Sequence, residues 1–180
     1  MEVKILKECG YEEAIYGLSL SYNVTDTEKM QQVAKNLAHK DGGHNKFLES
    51  IILWIEIDAP RYWWSQFDTY RIGVTKQSES TMHTLMKREI DNNDFEDLLV
   101  ISTIDTLNLL IRHKEFEMAK AHLPESFLQK RIICTNYKTL RGIIFQRHTH
   151  KLKQWHYFIK EIYEQAIDKQ FLPTEILDKL

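Results

Sequence analysis

The chain has 180 residues, 43% of them hydrophobic and 28% charged, with a formal net charge of −2. Three prolines and six glycines argue against long disordered tails, and no apolar run approaches the ~20 residues of a membrane span. The N-terminal "MEVKILKECGYEE" lacks a signal-peptide apolar core, and Cys9 and Cys134 form neither a disulfide framework nor zinc spacing. The expectation is one cytoplasmic domain over 1–180 with reduced thiols, no membrane partner and no metal.

In chain order, "VKIL" (3–6) reads as a short strand and "YEEAIYGLSLSY" (11–22) as a helix. "TDTEKMQQVAKNLAH" (25–39) opens on capping residues and places Met30, Val33, Ala34 and Leu37 on one face, which predicts a helix. "KDGGH" (40–44) is a turn. In "SIILWIEID" (50–58), Ile51, Leu53, Ile55 and Ile57 alternate with polar Glu56 and Asp58, the period of a strand. Pro60 then opens the helix "PRYWWSQFDTY", since proline suits a first helical turn. The hydroxyl-rich "QFDTYRIGVTKQSESTMH" (66–83) overlaps its end and reads as a loop.

"FEDLLVISTIDTLNLLIRH" (95–113) predicts a long apolar helix, and "EFEMAKAHL" (115–123) a shorter one ended by Pro124. "FLQKRIICTN" (127–136) predicts a strand and "YKTLRGIIFQR" (137–147) a helix. "KLKQWHYFIKEIYEQAID" (151–168) puts Leu152, Trp155, Ile159, Ile162 and Ala166 on one stripe. Few strands among several helices, without βαβ repeats, make the fold class α+β.

Charge is uneven. Residues 112–153 carry ten Lys/Arg against three acids, so the rest of the chain is strongly acidic. A basic segment in an acidic chain suggests an anion site, for phosphates or nucleic acid, or a solvated basic face. No Gly-rich phosphate loop, His-Glu-x-x-His or Gly-x-Ser-x-Gly is present. In "HTH" (148–150) the spacing of two sends the rings to different helix faces, a surface pattern. An enzyme built from these residues would take its chemistry from a bound cofactor, the protein supplying position and charge. Arg71, Lys120, Arg141 and Arg147 are the cations available for phosphate or a planar heterocycle. Ser78, Ser80 and Thr81 offer hydroxyls, and Gln66 and Asn136 could read amide-like edges.

Two ordered segments carry a resemblance. "HNKFLESIILWIEIDAPRYWWSQFDTYR", followed by "TKQSESTMH", is similar to the flavin-dependent thymidylate synthases, matching without a gap from His44 to Arg71. "AKAHLP" (119–124), "CTNYKTLRGIIFQR" (134–147) and "QW" (154–155) resemble that family's later motifs, with the spacing from Lys120 through Asn136 to Arg147 kept. The resemblance implies a small antiparallel or mixed sheet flanked by helices and a homotetramer with shared sites. It also implies FAD, with NADPH and methylenetetrahydrofolate as co-substrates, and transfer of a one-carbon unit to C5 of dUMP. Gln66, Ser80 and Lys120 fall at nucleotide-contacting positions. Arg147 falls at the arginine that binds the pyrimidine edge and favours its ionised form, the catalytic assignment. His44, Arg71, Asn136 and Lys138 fall at flavin-contacting positions.

The chain also departs from the pattern. Thr69-Tyr70-Arg71 stands where the family has Arg-His-Arg, and one extra residue lies between Arg71 and Ser80. Met82 and His83 replace an arginine and a tyrosine, Gly142 an asparagine, and His156 stands near a family glutamate. Lys76 or Lys87 are the cations near enough in sequence to stand in for the arginine missing at Met82. These departures leave two alternatives open: altered C5 chemistry on the same scaffold, or non-catalytic nucleotide binding. The partner is expected to be a pyrimidine nucleotide rather than nucleic acid.

Overall fold

The structure is a computed structural model that describes residues 1–24, 26–40, 42–99 and 101–177. Its elements are β1 (Glu2–Cys9), α1 (Tyr11–Leu20), α2 (Thr27–Ala38), β2 (Ile52–Pro60), α3 (Arg61–Phe67), β3 (Val74–Ser78) and α4 (Thr81–Thr84). Then follow α5 (Ile101–Arg112), α6 (Phe116–Ala121), β4 (Leu128–Asn136), α7 (Tyr137–Arg147), α8 (Lys153–Gln165) and α9 (Thr174–Leu177). The strands form one sheet in the order β1-β2-β4-β3.

Pairing is antiparallel. Tyr137 N donates to Ile51 O and Arg61 N to Phe127 O, so numbers rise along β2 as they fall along β4. Glu79 N to Lys130 O and Thr135 Oγ1 to Gly73 O run the same way for β3 and β4. β4 lies between β2 and β3, so β2 and β4 are neighbours that are not consecutive in the chain.

The chain forms two compact units, one of Val3–Glu56, Tyr70–Lys76 and Ile133–Leu180, the other of Met1–Glu2, Ile57–Thr69 and Gln77–Ile132. In the first, Ile51, Leu53 and Ile55 of the β2 region are fully buried, as are Ala34, Leu140, Ile144, Trp155, Phe158, Ile159 and Ile162. The alternation and the helical stripes of the sequence therefore mark core faces. Gly10 ends β1 with φ of +92°, and a Cβ there would lie 2.3 Å from the Ser50 carbonyl oxygen, so only glycine fits. Glu8, Tyr11 and Tyr137 share hydrogen bonds, with the Tyr11 hydroxyl 2.6 Å from that of Tyr137. Burial pushes both phenols well above their ordinary range, so both remain neutral donors.

In the second unit, Trp63, Trp64 and Phe67 of α3 are fully buried and pack edge to face or tilted, with centroids 4.9–5.6 Å apart. The Trp64 indole donates to Gln129 O. Arg131 stacks its guanidinium 4.4 Å from the Trp64 ring centroid and bonds both Asp68 oxygens, tying the end of α3 to β4. Leu85, Ile90, Phe95, Leu107, Ile111, Ala119 and Leu123 make a second cluster. Buried Asn108 bonds both N and O of Ile90, satisfying that backbone in the absence of a strand partner.

Three readings change. The stretch 66–83 is not all loop, because Val74–Ser78 pairs with β4 as an edge strand. The helix predicted over 95–113 runs only over Ile101–Arg112, since Phe95 instead bridges Phe127 and Leu98 is 86% exposed. A short helix forms at 81–84 where none was expected. Thr25, Asp41 and Val100, within the segments read as helix, turn and helix, lie outside the described residues. Among the described residues no helix is long and apolar enough to cross a membrane.

Candidate functional site

Arg147 closes α7, a helix whose start is set by Asn136. The Asn136 side chain accepts from Thr139 N at 2.9 Å, the N-cap bond that leaves β4 and begins the helix. A cation in the last turn faces the negative end of the helix dipole, so Arg147 sits where charge is favoured. Its Nε donates to the Tyr70 hydroxyl at 2.7 Å. That hydroxyl donates onward to Gln146 Oε1 at 3.1 Å. The guanidinium carbon lies 5.3 Å from the Tyr70 ring centroid and 4.8 Å from that of buried Trp155, both within cation–π range. Tyr70 meets Trp155 edge to face at 6.2 Å. Among the described residues no acceptor takes the Nη1 or Nη2 hydrogens of Arg147.

His150 borders this cluster, its ring 6.3 Å from Trp155. Burial and then the Arg147 charge push its pKa below the ordinary imidazole value. Leu152 N donates to its Nδ1 at 3.1 Å, so the ring is neutral with its proton on Nε2. One strong positive charge thus lies among a neutral imidazole and two aromatic rings.

Tyr70 is placed by the turn that follows α3. Lys76 Nζ donates to the Tyr70 carbonyl at 3.2 Å. Gly73, at φ +70°, lets the chain turn into β3, and a Cβ there would lie 2.2 Å from Thr139 Oγ1. This use of Lys76 counts against it as the replacement cation for the arginine missing at Met82. Arg71, next to Tyr70, is exposed.

The remaining residues of the first unit gather around the start of the 3-10 turn 46–50. His44 is exposed and lines a cavity of about 340 Å³ with Glu13, Ser21, Lys46, Glu49 and Ser50. Lys138 pairs with Glu49 at 2.6 Å, so its ammonium is charge-balanced there. Asn136 combines two possibilities: Oδ1 is used in the cap, while its amide nitrogen has no partner among the described residues.

Gln66, Ser80 and Lys120 belong to the other unit. Gln66 is half-buried in the last turn of α3. Ser80 precedes α4, where its carbonyl accepts from His83 N, Thr84 N and Thr84 Oγ1. Lys120 is exposed at the end of α6, its Nζ 5.8 Å from the Phe116 ring centroid. Met82 is 61% exposed.

The contacts that hold Arg147 were not legible as such. The sequence marks Trp155 as a stripe residue and as part of the "QW" motif, and Tyr70 as a departure from an Arg-His-Arg pattern, neither of which points to Arg147. The Tyr70–Arg147 bond joins residues 77 positions apart, and no local period records it.

No family model and no curated protein matches the chain. Among solved structures it is similar to thymidylate synthase X from Helicobacter pylori with FAD and dUMP, at 18% identity and a TM-score of 0.82. That match covers 98% of this chain and 99% of the other. A second, the flavin-dependent thymidylate synthase from Helicobacter pylori complexed with FAD and dUMP, has 18% identity and a TM-score of 0.79, over 97% and 95% of the two chains. The chain therefore has the α+β fold of these proteins, as its sequence motifs implied, and its sheet is antiparallel rather than mixed.

Proposed function

We propose that a chain with this fold acts as a divergent flavin-dependent thymidylate synthase, moving a one-carbon unit from methylenetetrahydrofolate to C5 of dUMP. The observation that carries the reading is Arg147, a held guanidinium whose terminal N–H edge is unclaimed among the described residues. Such an edge stabilises negative charge developing on a pyrimidine ring, because the donors are fixed before the charge appears. The neighbouring Tyr70 and Trp155 rings lower the local polarity beside the half-buried guanidinium, which strengthens that interaction.

The donor set suits FAD in kind. Arg71 is an exposed guanidinium, Asn136 offers amide N–H groups, His44 adds an imidazole, and Lys138 adds an ammonium that would have to leave Glu49 to meet a diphosphate. FAD supplies hydride chemistry when bound, with NADPH as reductant. Gln66, Ser80 and Lys120 complete the proposal as nucleotide contacts; Lys120 acts as a point charge without the bidentate fork of an arginine. A homotetramer with shared sites and a cytoplasmic location belong to the same reading.

A second reading, altered pyrimidine C5 chemistry or nucleotide binding without catalysis, is favoured by the exposed Met82 and by Thr69-Tyr70 in place of two polar family residues. The absorption spectrum of the purified protein separates them first. An oxidised-flavin spectrum, or one that develops on adding FAD, is expected. A colourless protein unchanged by FAD would sink the first reading. Turnover of dUMP with methylenetetrahydrofolate, lost in Arg147→Ala, is the second arm.

A further inference from the structure

We infer that Tyr70 is a positioning residue that fixes which edge of Arg147 meets the nucleotide. A free arginine offers two donor edges, one shared between Nε and Nη and the other between the two Nη groups. Here the Tyr70 hydroxyl accepts from Nε at 2.7 Å, which removes the first edge from use. The same hydroxyl donates to Gln146 Oε1, so its lone pair is aimed at Nε rather than free to rotate away. The Tyr70 and Trp155 rings flank the guanidinium and hold its plane. What remains is the Nη1–Nη2 edge, a pair of parallel donors. That pair matches two neighbouring in-plane acceptors, which a uracil ring presents at O2 and N3 once N3 has lost its proton. The tyrosine in the departing tripeptide thereby makes Arg147 selective for one planar, two-acceptor partner.

The inference rests on the nucleotide reading for its ligand, but the positioning itself can be tested without one. In the ligand-free, full-length protein, the Arg147 Nε–H is identified by the nitrogen-15 NMR signal that disappears in Arg147→Lys. We expect Tyr70→Phe, which keeps the ring and removes only the hydroxyl, to speed exchange of that N–H about tenfold or more. Gln146→Leu, a change at an exposed position, should act in the same direction but less. An exchange rate unmoved in both variants overturns the inference.

With dUMP as the probe, Tyr70→Phe should weaken binding about tenfold, the scale of one charged hydrogen bond. It should change binding less than about twofold in an Arg147→Ala background, because Tyr70 acts through that side chain. Equal losses in both backgrounds would overturn it. A wild-type protein that ignores dUMP, with the exchange result as expected, would remove the nucleotide reading and leave Tyr70 as the residue that sets the arginine.

Discussion

Arg147 and Lys120 are both cations that the sequence resemblance assigns to the nucleotide, yet the fold treats them differently. Arg147 ends an 11-residue helix, is half-buried, and is gripped by the Tyr70 phenol and the buried Trp155 indole. Lys120 ends a six-residue helix and is exposed, with one ring beneath it. A gripped guanidinium gives direction; an exposed ammonium gives charge without direction. A cation suited to recognising a ring edge needs packing behind it, whereas one suited to a phosphate needs only proximity.

The largest expected effect attacks the packing. Trp155→Ala should cost ~3–5 kcal/mol of stability, as for buried aromatic truncations, read by urea denaturation. Lys120→Ala should leave the same curve in place, and an equal loss in both would erase the contrast. Next comes binding. Arg147→Ala should weaken dUMP by ~1.5–3 kcal/mol in titration calorimetry, the worth of charged hydrogen bonds. The Lys120→Ala effect should be smaller and should fade as salt rises, since exposed charges are screened.

Gly73→Ala places a Cβ against Thr139 at positive φ and should cost ~1–3 kcal/mol, measured as a fall in the denaturation midpoint. Asn136 tests cap against cofactor. Asn136→Ala should lose ~1 kcal/mol of stability. Asn136→Asp keeps the cap acceptor but loses the amide donors, so it should hold stability while weakening FAD in a flavin titration.

The smallest effect is a pH term at Asp58 in the other unit. Burial raises the Asp58 pKa, with Lys130 opposing, and its Oδ1 has no hydrogen-bond partner among the described residues. The folded protein therefore holds that proton more tightly than the unfolded chain does. Stability falls as pH rises from the unfolded carboxylate value through the raised folded one. Asp58→Asn should flatten the stability profile across that window. A variant profile that overlays the wild-type one removes Asp58 from the pH dependence.

Much of the fold could be read along the chain because one-sided burial imposes a period. Ile51, Leu53, Ile55 and Ile57 alternate and are all fully buried, as are Trp155, Ile159 and Ile162 of the α8 stripe. Pro60 and the Asn136-Tyr137 boundary mark helix starts through local backbone chemistry. Edge strand β3 escaped because it is short and mostly exposed, so no alternation marks it. The overlong 95–113 helix has the same kind of cause: Phe95 takes an extended bridge to Phe127, a contact 32 positions away.

The candidate site divides along the same line. Sequence alone determined which chemistry was on offer: an arginine at Arg147, amides at Gln66 and Asn136, a basic segment, and no nucleophile motif. Tertiary structure decided what those groups do. It spent Asn136 Oδ1 on a helix cap, neutralised Lys138 with Glu49, and tied Lys76 to the Tyr70 carbonyl. It also turned Tyr70 from a missing histidine into the hydroxyl that holds Arg147. Hydrogen bonds and ring contacts depend on distances across the fold, and only the folded chain brings residues 70, 147 and 155 within a few ångströms.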